Sequence, residues 1–216
     1  MAEGAASGGG DATDARSRLL ALLSTAISDR RVLEAVATVD RERFVPEEER
    51  AHAWANEPLP IGWSQTISQP LVAARMAELL ELGPGDRVLD VGTGSGYHAA
   101  LLAALCDHVW SIERHAGLSE RAAEALRSAG VDNVTLVVGD GSRGHPDAAP
   151  YDAINVAAAS WRMVPPALEQ QLAVGGRMIV PVARRGQRLV LVRRTPTGIE
   201  RRALEPVRFV ELVQGP

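Results

Sequence analysis

The chain alternates between segments whose apolar residues recur at helical spacing and short runs that are apolar almost throughout. Residues 16–27 and 29–39 follow the helical pattern; in the second, Val32, Leu33, Val36 and Val39 share one face, and Ser28 is placed to cap it. Residues 57–70 break the pattern. Pro58, Pro60, Gly62 and Pro70, among several polar residues, make this stretch too rich in turn formers for regular structure and predict a functional loop. Beyond it, helices are expected over 71–82, 98–106, 118–129 and 165–171. Strands are expected over 87–91, 109–113, 134–138, 151–156 and 177–182, the last following a turn at Gly175-Gly176. This alternation predicts βαβ units, hence a Rossmann-like, doubly wound, mostly parallel α/β sheet covered by helices on both faces. Residues 189–194 and 199–213, joined by the turn Thr195-Pro196-Thr197-Gly198, have no helix between them and predict antiparallel C-terminal strands. The leading helices form an N-terminal helical extension. Residues 1–14 are small and polar, which predicts a disordered tail ahead of a single domain over 15–216.

Composition narrows the function classes. A chain of 216 residues, 46% hydrophobic, is long enough to bury the core of one α/β domain. A net charge of −4 and a pI near 5.8 argue against nucleic acid as a partner, because displacing counterions from phosphates needs a basic field. No apolar run approaches the roughly 20 residues needed to cross a bilayer. Arg16 and Arg18 precede Leu19-Leu20-Ala21-Leu22-Leu23, but Ser24 and Thr25 break that run, so it reads as an amphipathic helix rather than an export signal. Cytoplasmic residence and a monomeric state are expected. The sole cysteine, Cys106, excludes an internal disulfide and reads as a small apolar helix residue. His52, His98, His108, His115 and His145 lack zinc-like spacing, so no metal is expected.

In a doubly wound sheet, ligands sit beyond the carboxyl ends of the strands, and four predicted strands end in suggestive residues. Asp90 leads into Gly92, Gly94 and Gly96, alternating glycines whose missing Cβ lets the main chain approach a cofactor closely. Dinucleotide turns instead carry G-x-G-x-x-G. Glu113 lies about 20 residues beyond the turn, where a carboxylate accepts hydrogen bonds from ribose hydroxyls. Asp140, between Gly139 and Gly141, is placed to meet an adenine amino group, and Asn155 ends the fourth strand.

These motifs add up to a resemblance. Pro58-Leu59-Pro60-Ile61-Gly62, Gln65-Thr66-Ile67-Ser68-Gln69-Pro70, Val88 to Tyr97, Val138-Gly139-Asp140-Gly141, Ala149-Pro150-Tyr151-Asp152-Ala153-Ile154 and Val164-Pro165-Pro166-Ala167-Leu168 stand in the order seen in protein-L-isoaspartate O-methyltransferases. The chain resembles that family of class I S-adenosylmethionine-dependent methyltransferases from about Leu19 to Val213, and the Thr-Ile-Ser-Gln-Pro loop is its most diagnostic part. The resemblance implies methyl transfer from S-adenosyl-L-methionine to the α-carboxylate of L-isoaspartyl residues in damaged proteins and peptides. It maps the active-site serine onto Ser68, with Thr66, Ile67 and Ser68 binding substrate. It maps the cofactor onto Asp90, Gly92, Gly94, Gly96, Glu113, Asp140 and Gly141. Helix capping is the competing role for Ser68 and Thr66. The chain departs from the family pattern at Ser64, commonly glycine, at Trp63, more usually tyrosine or histidine, and at Ser160-Trp161-Arg162-Met163, where the family often continues directly with proline. Three other readings compete. One is a relative that methylates an ordinary aspartyl peptide and so drives succinimide formation. Another is a non-catalytic scaffold, and the third an NAD-linked oxidoreductase, against which the glycine spacing counts.

Overall fold

The computed structural model describes residues 8–215. Two helices lead, α1 (Gly8–Leu23) and α2 (Arg30–Thr38). Residues 8–14 are therefore helical rather than part of a disordered tail, while residues 1–7 of that predicted tail lie outside the described residues. Burial of Leu19 and Leu23 anchors α1, and the Asp14–Arg18 ion pair spans one turn of it, so the helix propagates ahead of its apolar face. The cap of α2 is Asp29, whose carboxylate accepts from the Arg31 N–H at 2.8 Å, rather than Ser28. Ser28 instead donates its backbone N–H to Glu78 Oε1 at 2.6 Å.

The predicted irregular loop contains regular structure. Strands β1 (Leu59–Gly62) and β2 (Gln65–Ile67) pair antiparallel. Leu59, Ile61 and Ile67 turn inward and are buried, and this alternation outweighs the turn-forming composition. Trp63 and Ser64 make the connection at φ 50° and 57°, the left-handed turn that matches strand twist.

The main α/β unit comprises α3 (Pro70–Leu79), β3 (Arg87–Val91), α4 (Tyr97–Ala103), β4 (His108–Glu113), α5 (Ala116–Ser128), β5 (Val134–Val138), β6 (Tyr151–Val156), β7 (Ser160–Trp161), α6 (Pro166–Gln171), β8 (Leu172–Ala183), β9 (Gln187–Thr195) and β10 (Gly198–Pro206). One sheet runs β10-β9-β8-β6-β3-β4-β5, with β7 attached to β8. Strands β8, β6, β3, β4 and β5 pair in parallel, and β9 and β10 add antiparallel, as the pattern predicts. Strand order reverses between β3 and β6, which opens a crevice at their carboxyl ends. Both sheet faces are covered. Val88 packs among the residues of the N-terminal helices and α4, while Leu89 and Val91 pack on the other face with Leu168 of α6.

Helices α3 and α4 end three residues earlier than expected, and the sheet departs from expectation at three places. Gly175-Gly176 is a bulge inside β8, not a turn before it: Tyr151 pairs with Leu172, but Ala153 pairs with Arg177. Backbone crowds this point, since a Cβ on Gly176 would stand 2.9 Å from the Ala173 carbonyl oxygen. The last strand ends at Pro206 instead of reaching 213. The chain then crosses to the short β7, which the sequence pattern does not predict: Ala159 N–H donates to the Val210 carbonyl at 2.7 Å and Leu212 N–H to that of Ala159 at 2.9 Å. Among the described residues, no helix is long and apolar enough to cross a membrane.

Candidate active site

The crevice at the switch point is a cavity of about 410 Å³, within the range of small-molecule sites. Its walls come from the glycine turn, the β1–β2 hairpin, the end of β4 and the C-terminal crossing segment. Gly92, Gly94, Glu113, Gly141, Thr66, Ile67 and Ser68 all line it. Asp90, Gly96 and Asp140 do not stand on its wall.

The glycines divide the labour. Gly92 and Gly94 sit at φ 94° and 54° on the cavity wall, where any side chain would be strained; a Cβ would stand 3.6 Å from Ala157 Cβ at Gly92 and 3.4 Å from Ile61 Cδ1 at Gly94. Gly96, the first-turn flank of α4, serves packing, because a Cβ there would lie 3.3 Å from Ala122 Cβ and 3.4 Å from Leu126 Cγ. The turn is braced from β4. Glu113 Oε2 accepts the Gly94 N–H at 2.9 Å and Oε1 accepts the His115 N–H at 3.0 Å, so the carboxylate is aimed at the cavity with lone pairs to spare. At Gly141 a Cβ would come within 2.6 Å of Val91 Cγ1, which leaves no room for any side chain.

Asp90 is fully buried beneath the turn, in a polar row that the strand register creates: Ser111, Asp90 and Asn155 are direct neighbours across β4, β3 and β6. Ser111 Oγ and Asn155 Nδ2 each donate to the carboxylate at 2.7 Å. Thr93 Oγ1 extends the row, 2.7 Å from Ser111 Oγ. Desolvation pushes the Asp90 carboxyl up to about 6, with the Glu113 charge adding to the rise, against the two hydrogen bonds. His98, on α4 at the cavity, is 3.3 Å from Asn155 Nδ2 through Nδ1, and burial holds it down to about 4, hence neutral at pH 7. Asp140 is occupied locally. It accepts the Ser142 N–H and hydroxyl, and its Oδ2 accepts the Gly215 N–H at 2.9 Å, tying the C-terminal segment down beside Gly141. Partial burial pushes its carboxyl upward, but the bonds from Ser142 and Gly215 and the Arg143 charge hold it below the usual range.

The opposite wall is the hairpin. Trp63 at its tip covers Gly117 so closely that a Cβ there would be 2.7 Å from Trp63 Cζ2, and Arg121 Nη1 donates to the Ile61 carbonyl at 3.1 Å. Ser68 follows β2. The cap of α3 is Gln69, and among the described residues no protein group hydrogen-bonds the Ser68 hydroxyl, so capping does not engage it. Its carbonyl is held instead. Arg41, wholly buried, donates from Nη2 to the Ser68 carbonyl at 2.9 Å and from Nη1 to the Ala53 carbonyl at 2.6 Å. Its guanidinium lies 5.5 Å from the ring of Tyr97, another cavity residue. Desolvation lowers Arg41 to about 10, so it stays charged at neutral pH. Sequence reasoning missed Arg41, which lies in Asp40-Arg41-Glu42-Arg43, a run that reads as a solvated face.

The arrangement can hold a nucleoside against a glycine cradle and an organic substrate against a free hydroxyl. Among the described residues, no group of three or more His, Cys, Asp or Glu stands in a metal-binding arrangement. A model of the protein-L-isoaspartate(D-aspartate) O-methyltransferase family matches residues 16–216. A protein-L-isoaspartate O-methyltransferase of Anaeromyxobacter dehalogenans is 55% identical over 88% of this chain and 92% of its own length. One from Roseiflexus castenholzii is 49% identical over 95% and 94%. A solved Plasmodium falciparum structure, described as a protein-L-isoaspartate O-methyltransferase in complex with S-adenosyl-L-homocysteine, superposes with a TM-score of 0.80 at 26% identity, over 93% of this chain and 99% of that one. The chain belongs to the protein-L-isoaspartate(D-aspartate) O-methyltransferase family.

Proposed function

We propose that the chain transfers a methyl group from S-adenosyl-L-methionine to the α-carboxylate of L-isoaspartyl residues in damaged proteins and peptides, acting as a cytoplasmic, monomeric, single-domain repair enzyme without nucleic-acid partners. One observation carries the reading: Ser68, whose hydroxyl has no protein partner among the described residues, lines the same cavity as Gly92 and Gly94. The residues present fit the cofactor. Gly92 and Gly94 supply a left-handed turn whose main chain lies on the cavity wall, Gly141 lets the neighbouring turn pack against Val91, and Glu113 offers lone pairs to the ribose hydroxyls. The main chain at Gly141, which lines the cavity, would meet the adenine while the Asp140 carboxylate holds that turn and the Gly215 N–H; Asp90 supports the glycine turn from below, and Gly96 lets α4 start close to α5.

When bound, the cofactor would supply a methyl carbon as electrophile on a positively charged sulfur, the neutral thioether S-adenosyl-L-homocysteine being the leaving group that keeps the C–S electron pair. The substrate carboxylate, with an ordinary pKa near 4, arrives ionised and needs no general base. Neutral His98 is consistent with that. What the protein contributes is orientation. Ser68 donates a neutral hydrogen bond that aligns the carboxylate oxygen without quenching it as a clamped cation would, while Thr66 and Ile67 hold the flanking backbone. Arg41 positions Ser68 from behind. The test is a pair of short peptides identical except for an isoaspartyl or an aspartyl residue. Methylation strongly favouring the isoaspartyl form is expected; equal rates, or preference for the aspartyl form, would favour the succinimide-driving alternative. In a thermal-shift assay, stabilisation by S-adenosyl-L-homocysteine and none by NADH completes the distinction.

A further inference from the structure

A second concavity, a groove of about 950 Å³, lies between the 162–166 segment and the face of β8, β9 and β10. Its apolar lining is made by Val164, Val182 and Val190 with the exposed Met163 beside them, and its rim is cationic: Arg162, Arg184, Arg185 and Arg188 are all exposed around it. Among the described residues, none of these four arginines has a carboxylate within ion-pair distance. The one acid on the groove, Glu169, is already held at 2.6 Å by both Nε and Nη2 of Arg201. Four uncompensated arginines on one face of a protein with net charge −4 concentrate the positive field there.

The groove is also near the reaction. Ala158 lines the catalytic cavity and Arg162 lines the groove, so four chain positions, about 14 Å at full extension, bound their separation. An extended polypeptide covers that span in about four residues. Trp161, 64% exposed on β7, stands between Ala158 and Arg162 along the chain. We propose that this groove receives an acidic, partly apolar segment of the polypeptide substrate, about four to eight residues from the isoaspartyl site, and thereby selects damaged sites with acidic flanks. The proposal rests on the isoaspartyl activity, so the experiment reports on both separately.

Isoaspartyl peptides would share one core and carry three Glu or three Gln residues four to eight positions from the isoaspartate, on either side. Methylation of the Gln peptide by the unaltered enzyme tests the activity itself. At low ionic strength the Glu peptide on the correct side should show a KM at least fivefold lower, with unchanged kcat. The advantage should shrink in 0.5 M salt, as about a threefold shorter screening length requires. The R184Q/R185Q/R188Q variant, altered only at exposed positions, should lose the advantage while keeping its KM for the Gln peptide within twofold. Equal KM values for the unaltered enzyme would overturn the proposal, as would an advantage that survives in the variant. So would a short oligonucleotide that binds through the same arginines while the peptides show no difference.

Discussion

In the proposed methyl transfer, the residues placed nearest the substrate act through what they leave free. Ser68, on the cavity wall, spends its carbonyl on Arg41, and among the described residues no protein group hydrogen-bonds its hydroxyl. S68A should therefore lower kcat by an amount equivalent to about 1–3 kcal/mol of transition-state stabilisation, with cofactor affinity unchanged in a binding titration. R41K keeps a cation but loses the planar fork that spans carbonyls of Ala53 and Ser68. Turnover should fall about tenfold at a temperature where the variant is fully folded, with KM for the cofactor unmoved; a lower unfolding temperature with normal kcat would make Arg41 a packing residue only. Asp90 gives a pH signature. Its carboxyl is about 6 when folded and near 4 when unfolded, so the folded state holds the proton more tightly, and this stabilisation, complete below the unfolded value, is lost as pH rises through 6. Urea titrations should show D90N gaining on the unaltered protein by about 2–3 kcal/mol between pH 4 and pH 8.

At the scale of elements, the hairpin and the strands explain what was legible. The glycine turn could be read because it depends on backbone conformation, which only glycine supplies at the φ of Gly92 and Gly94. Asp90 and Asn155 were also read as strand-end polar residues, but not as a buried row. In strands covered on both faces, apolar residues occupy either side and the period-2 signal that would assign a face vanishes. Arg41 could not be read either, since its partners are carbonyls twelve to twenty-seven positions away that converge only in the fold. The hairpin was hidden by its prolines and glycine although Leu59, Ile61 and Ile67 carry the alternation. Its turn keeps a serine at φ 57°, where a Cβ is strained. S64G should stabilise the fold by about 1 kcal/mol in a urea titration, because relief of that strain exceeds the added freedom of the unfolded chain.

Over the whole molecule, the last strand of the sheet ends at Pro206; Val207 and Phe209 then pack on the core, and Val210 to Val213 line the cavity. Gln187 grips the crossing segment twice, accepting the Phe209 N–H at 2.6 Å and donating to its carbonyl at 3.0 Å, before Val210 to Val213 form the cavity wall. Removing residues 209–216 should leave the far-ultraviolet circular dichroism spectrum of the folded sheet intact. Affinity for S-adenosyl-L-homocysteine should fall about tenfold or more, the equivalent of losing one well-buried aliphatic contact.

The row of Ser111, Asp90 and Asn155 bears on how the chain reaches this structure at all. Parallel strands that are oily on both sides can slide past one another with little change in contact, so hydrophobicity alone discriminates poorly among alignments. Only the native alignment puts a hydroxyl on one side of the carboxylate and an amide on the other. A slip by one residue would strand an acid in hydrocarbon, so the row favours the native register of the three central strands.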